Sequence, residues 1–230
     1  MAGPQTSFAV LELLRSAATW LSGFISSNTA HSMLAWAVGF ATAIFAEPFR
    51  SAIFRPKLTL EFGDGLEFKT RTPEQASYVD VVRVQSNHEA EYVRIKVRNS
   101  KRSVAKNCRA YLVAIEKRNE YGDFKPTIYC DSIQLAWSCR GPKRRYDPVD
   151  LPYGVAQFID LVSTRSQENL TSLFRPELQV TPMRYAELFS QLGTFHFKVQ
   201  VSGENVKPVF IRIDFHWAGI WDKYVAELSK

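Results

Sequence analysis

Two hydrophobic patterns divide the chain. Residues 16–46 contain no Asp, Glu, Lys or Arg, and the tract 31–54 (HSMLAWAVGFATAIFAEPFRSAIF) is almost wholly apolar or small. From Lys57 onward, apolar residues instead alternate with polar ones. A bilayer-crossing helix needs about 17–25 mostly apolar residues, so the first pattern predicts a transmembrane helix over 32–54. A second helix is predicted over 6–25, where Glu12, Arg15, Ser16, Thr19, Ser22 and Gly23 recur as one narrow polar stripe. That stripe suits either an interfacial helix or a spanning helix with the stripe against its neighbour. Ala35, Gly39 and Ala43 lie four apart, a spacing that lets two helix backbones approach closely in lipid.

The alternating region predicts strands over 57–62, 78–85, 91–99, 107–116, 128–137, 155–162, 194–201 and 209–217. Val93, Ile95 and Val97 form one face of their strand, and Arg94, Lys96 and Arg98 the other. Turn signals separate the runs: Gly63-Asp64-Gly65, Leu151-Pro152-Tyr153-Gly154 and Ser202-Gly203-Glu204-Asn205. A short helix is expected within 182–192, and a helical turn or two over 221–228. Seven or eight strands without a long intervening helix predict a mainly β domain, a β-sandwich or alternatively a closed barrel, behind two N-terminal apolar helices. The expected organisation is a membrane region at 1–56 and a β domain at 57–230.

The segment YVRIKVRNSKRSVAKNCRAYLVAIE (92–116) resembles the B–C region of bacterial immunoglobulin-like binding modules: an alternating strand, a short polar turn and a second alternating strand. LPYGVAQFIDL and TFHFKVQV fit later strands of that pattern. The resemblance spans about 90–217 and implies an Ig-like sandwich with no particular chemistry. In architecture alone, two membrane helices before a β domain are similar to antiphage defence effectors that sense cyclic oligonucleotides and damage the inner membrane. That likeness implies an anionic nucleotide ligand and helices that oligomerise.

Charge places the domain. The net charge is +6, of which residues 1–56 carry +1. This mild basicity suits an anionic lipid surface and is too small for long nucleic acid. Arg50, Arg55 and Lys57 follow the apolar tract, whereas the polar turn at 26–30 has no charge. The positive-inside rule therefore predicts a bacterial inner-membrane protein with its β domain in the cytoplasm. Three cysteines, Cys108, Cys130 and Cys139, with no CxxC pair suit a reducing compartment. The sequon Asn169-Leu170-Thr171 has no consequence there.

No nucleotide-binding glycine motif, zinc-protease motif, nucleophile elbow or CxxC is present, so no cofactor or metal is expected. His196, Asp214 and His216 fall on the outward faces of neighbouring strands, where they would either form an acid/base or metal site or stand as ordinary surface residues. Two basic groups carry more of the expected function. Arg94, Lys96 and Arg98 share a strand face, and Arg140, Lys143, Arg144 and Arg145 crowd a Gly-Pro turn flanked by Trp137 and Tyr146. Arg and Lys so grouped hold phosphate, nucleotide or headgroup oxygens, and the flanking rings offer a stacking surface. The alternative is a solvated strand face balanced by cross-strand acids, and a charged soluble loop. Phe195, Phe197, Phe215, Trp217 and Trp221 read as core aromatics. The expected function is a membrane-tethered, non-enzymatic binding or scaffolding module for a partner protein, the alternative a nucleotide-gated membrane effector.

Overall fold

The computed structural model describes residues 19, 32–33, 35–40, 42, 55–73, 78–79, 82–83, 89–138, 140–166 and 174–229. The chain divides into two units, Met1–Ile53 and Phe54–Lys230. In the first unit every described residue is helical and exposed. Among the described residues, no helix is long and apolar enough to cross a membrane. This corrects the expectation of two N-terminal apolar helices, at least one of them spanning. Apolar composition measures affinity for lipid, whereas spanning demands length as well. The remainder of both expected helices, except Thr19, lies outside the described residues.

The second unit contains fifteen described strands in chain order. These are β1 (Leu58–Glu61), β2 (Lys69–Pro73), β3 (Tyr78–Val79), β4 (Val82–Arg83), β5 (Glu89–Asn99), β6 (Ala105–Arg118), β7 (Phe124–Pro126) and β8 (Ile133–Gln134). There follow β9 (Ala136–Trp137), β10 (Val149–Leu151), β11 (Ala156–Arg165), β12 (Phe174–Pro176), β13 (Gly193–Gly203), β14 (Val206–Ile220) and β15 (Lys223–Leu228). A 3-10 turn, Met183–Tyr185, leads into the short helix α1 (Ala186–Ser190) inside the stretch where a helix is expected.

Two antiparallel sheets make a β-sandwich. One runs β1-β5-β11-β12, with β2 also on β5 and β9 also on β11. The other runs β10-β6-β13-β14-β15, with β7 and β8 sharing the β6 edge with β10. The closed-barrel alternative is set aside, because the strands form two separate sheets. The alternation that predicts β5 is the alternation observed: Val93, Ile95 and Val97 are buried, and Arg94 and Lys96 lie on the opposite face. Facing them across the core are Phe195, Phe197 and Val199 of β13 and Ile211, Ile213, Phe215 and Trp217 of β14. Phe174, fully buried on the short β12, reaches the opposite sheet, with ring centroids 5.0 Å from Phe195, 5.4 Å from Phe215 and 6.1 Å from Trp217.

Three local expectations change. The tail expected as helical turns is the strand β15, because the outer edge of β14 presents backbone groups that need partners. Gly219 (φ +81°) takes up the bulge in β14 between Trp217 and Ile220, the chain reverses at 221–222, and Ala226 then stands opposite Phe215. The strand expected over 78–85 is a small hairpin, Tyr78 pairing with Arg83 and Val79 with Val82. The strand expected over 128–137 is split: β8 pairs with β6 in one sheet, and β9 with β11 in the other.

Truncating the central aromatic should show how far this core depends on it. Phe174→Ala is expected to lower unfolding stability by about 3–5 kcal/mol, measured by denaturant titration. A loss below about 1 kcal/mol would mean the sheets do not depend on this ring.

Candidate functional site

A one-residue bulge in β11 builds the site. Ile159 pairs with Ile95 and Asp160 with Arg94, but the next partner, Val93, faces Val162. Leu161 is the extra residue. Were Leu161 paired in regular register with Val93, Val162 would occupy the outer face opposite Tyr92. Because Leu161 is bulged out of the pairing, Ser163 takes that place and joins Asp160 on the outer face. Residues 177–179 are stitched alongside: Glu177 N donates to Leu161 O (3.1 Å), Ala136 N to Glu177 O (3.0 Å) and Gln179 N to Gln134 O (2.9 Å).

Two carboxylates and two guanidinium groups therefore meet under the turn that follows β9. Arg94 Nε donates to Asp160 Oδ1 at 2.9 Å, and Ser138 Oγ donates to the same oxygen at 2.5 Å. Arg145 Nη2 donates to Glu177 Oε2 at 2.8 Å and lies 3.8 Å from Asp160 Oδ2. Ser163 Oγ donates to Glu177 Oε1 at 2.5 Å. Asp160 and Glu177 are both buried, at 5% exposure each. Burial pushes the Asp160 carboxyl above the usual carboxylate range, against the opposing pull of the Ser138 hydrogen bond and the Arg94 charge. Burial likewise raises the Tyr92 and Tyr146 hydroxyls. The cluster carries no net charge, as a buried ionic group must to hold its place.

The turn above divides its cations. Arg144 N donates to Gly141 O (2.9 Å) and Asp147 N to Arg144 O (3.2 Å), while Trp137 N donates to Arg145 O (2.7 Å). Arg145 thus turns inward to the carboxylates, its guanidinium 5.5 Å from the Tyr146 ring centre. Lys143 and Arg144 are exposed and Arg140 half-buried, and none of the three is in an ion pair among the described residues. Trp137 is fully buried and offers no stacking surface, which corrects that part of the expectation. Tyr146 is half-buried, its hydroxyl donating to Leu178 O at 2.8 Å.

On the β5 face, Arg94 belongs to the cluster and Lys96 Nζ lies 3.3 Å from Glu67 Oε2. Arg98 is exposed. His196 stands opposite Asp214, with Nε2 2.6 Å from Asp214 Oδ1 and the Phe124 ring centre 4.0 Å from its own. His216 is elsewhere on the face, its Nδ1 3.0 Å from Thr194 Oγ1. No group of three or more metal-capable side chains stands together among the described residues. In the first unit Ala35 and Gly39 are exposed and helical, and Ala43 lies outside the described residues.

Sequence reasoning missed Ser138, Asp160, Ser163 and Glu177. One signal was available for Asp160: it is the lone charge inside the apolar run VAQFIDLV. A charge retained in a buried strand implies a partner. No protein-family model, curated protein or solved structure matches the chain.

The cluster makes two predictions. Arg145→Ala, which leaves Glu177 buried without its cation, should cost about 1–3 kcal/mol of stability by denaturant titration. The second concerns pH. Because the folded Asp160 pKa is raised above its unfolded value, its contribution to stability is fully present below the unfolded pKa. It is lost as pH rises through the folded pKa. The stability of the parent protein minus that of Asp160→Asn should accordingly fall as pH climbs out of the carboxylate range. A difference that rises with pH there would reverse the assignment.

Proposed function

We propose that the protein is a non-enzymatic, Ig-like binding module held at a membrane by its N-terminal tract, and that it engages a partner protein through the cationic turn 140–144. The observation carrying this reading is the division of charge in that turn. Arg145 is consumed by Asp160 and Glu177 and anchors the base, so Arg140, Lys143 and Arg144 are presented from a fixed support. Fixing the base reduces the conformational entropy lost on binding, and clustered arginine and lysine select an anionic counterpart. Acidic side chains of a partner protein supply that counterpart.

Strand order supports the Ig-like part. With β1, β5 and β11 taken as A, B and E, and β6, β13 and β14 as C, F and G, the sheets read A-B-E and C-F-G, and β9 stands beside E in the position of D. The charge-free tract 16–46 supports attachment to a membrane. The free thiols Cys108 and Cys130 support a cytoplasmic setting. Tethering raises the effective concentration of the module for partners on the same membrane.

A photo-crosslinking residue replacing Pro142 in the full chain tests the binding face in cells. One defined adduct is expected, strongly reduced when Lys143→Glu and Arg144→Glu are added. An adduct unchanged by charge reversal would remove the turn from the interface. Cell fractionation tests the tether: the full chain should sediment with the membranes, and its recovery in the soluble fraction would remove that part of the reading.

A further inference from the structure

The second unit begins at one end of the sandwich, where its connections are tied together. Asn99, fully buried at the end of β5, donates through Nδ2 to Ser103 O (2.6 Å) and Leu151 O (2.9 Å). Its Oδ1 accepts from Lys101 N (3.1 Å), and its backbone oxygen accepts from Gly154 N (3.0 Å). Ser100 N and Oγ both donate to Lys57 O, at 2.9 and 3.0 Å. On the neighbouring sheet Asn205 Oδ1 accepts from Lys106 N and Asn205 Nδ2 donates to Val104 O, each at 2.9 Å. The start of β1 and the β5–β6, β10–β11 and β13–β14 connections thus form one braced surface.

Its charge is lopsided. Arg55, Lys57, Lys101, Arg102 and Lys106 are exposed, and none of them forms an ion pair among the described residues. Two acids stand nearby against these five cations, Asp150 accepting from Asn107 N (2.9 Å) and Glu204 from Asn107 Nδ2 (2.5 Å), so positive charge is in excess. Between the cations stand apolar tips: Tyr153 is 58% exposed, Val155 40% and Val104 39%. Gly154 (φ +76°) makes the tight turn that carries Tyr153 outward. Tyrosine beside unpaired lysine and arginine is the composition of a membrane-interface surface, the ring entering the headgroup layer and the cations lying over anionic headgroups.

Chain reach selects lipid as the occupant. The charge-free tract ends at Ala46, nine residues before Arg55, and nine residues span at most about 32 Å even fully extended. Any bilayer holding that tract lies within this distance of this end. The opposite end, at the β6–β7 turn, is a further length of β6 away, about 45 Å. We propose that the Asn99-braced end of the sandwich rests on an anionic lipid surface, with Tyr153 in the interface and Lys101 and Arg102 over the headgroups. This rests on the membrane-tether reading above and adds the orientation of the module: the Asn99 end faces lipid and the β6–β7 end faces away.

Spin labels in the full chain test it. In a Cys130→Ser, Cys139→Ser background, which leaves only the buried Cys108, nitroxides are placed by Tyr153→Cys or by Tyr121→Cys on the β6–β7 turn. The chain is reconstituted into vesicles of phosphatidylcholine alone or mixed with phosphatidylglycerol. In the mixed vesicles the label at 153 should collide with a water-soluble nickel relaxant several-fold less often than the label at 121. Adding Lys101→Glu and Arg102→Glu, or high salt, should restore its collisions. Equal nickel collision at both positions on mixed vesicles would overturn the orientation, as would shielding at 153 that charge reversal leaves unchanged. Flotation of the same samples separates the two readings. A chain that floats with an exposed 153 label overturns the orientation and leaves the tether standing, whereas a chain that floats with neither vesicle overturns both.

Discussion

Phe174 joins the two sheets through its ring contacts. It belongs to the short edge strand β12, yet its ring lies among Phe195, Phe197, Phe215 and Trp217 of the opposite sheet and Phe189 of α1. Each sheet alone would leave one apolar face in water, so neither is stable without the other. Mutual burial of those faces orients everything else. The polar residues of β5 and β11 must point outward, and there Arg94 and Asp160 find each other.

The outer face of the first sheet is unusual in being covered as well. The chain after β9 lies over it while residues 177–179 run alongside, and together they bring charges into a place where water is excluded. Two carboxylates remain there because two guanidinium groups and two hydroxyls satisfy them. Such a cluster does not add much net stability compared with well-packed apolar residues. Its physical consequence is geometric: a charge that cannot leave its partner holds the loop bearing it. Arg145 is fixed in this way, and the neighbouring cations of the turn are held above the sheet.

Much of this architecture was legible in residue order. The two-residue period of β5, β13 and β14 identifies which side chains face the core, since any slip of one position would expose Val93, Ile95 and Val97 together. The turns at 151–154 and 202–205 were likewise marked by Gly, Pro and Asn. The tail was misread because its residues have little intrinsic preference, and a free sheet edge decided their conformation. The N-terminal tract was misread for a different reason. Hydropathy reports the affinity of a segment for lipid and does not by itself establish a spanning helix, and among the described residues no helix is long and apolar enough to cross a membrane.

The candidate site was legible only in part. Four basic residues in one turn suggested a common role, yet nothing in their order distinguished Arg145, which is engaged by Asp160 and Glu177, from Arg140, Lys143 and Arg144, which are not. By itself the sequence determined the mainly β character, the inward and outward faces of the long strands and the mild excess of positive charge, because these depend on neighbours along the chain. Tertiary structure alone decided the split into two sheets, the bulge at Leu161 and the ionic cluster. It also decided the gathering of Lys57, Asn99 and Gly154 at one end. Each of these depends on register between strands far apart in sequence, and register is set by packing across the core.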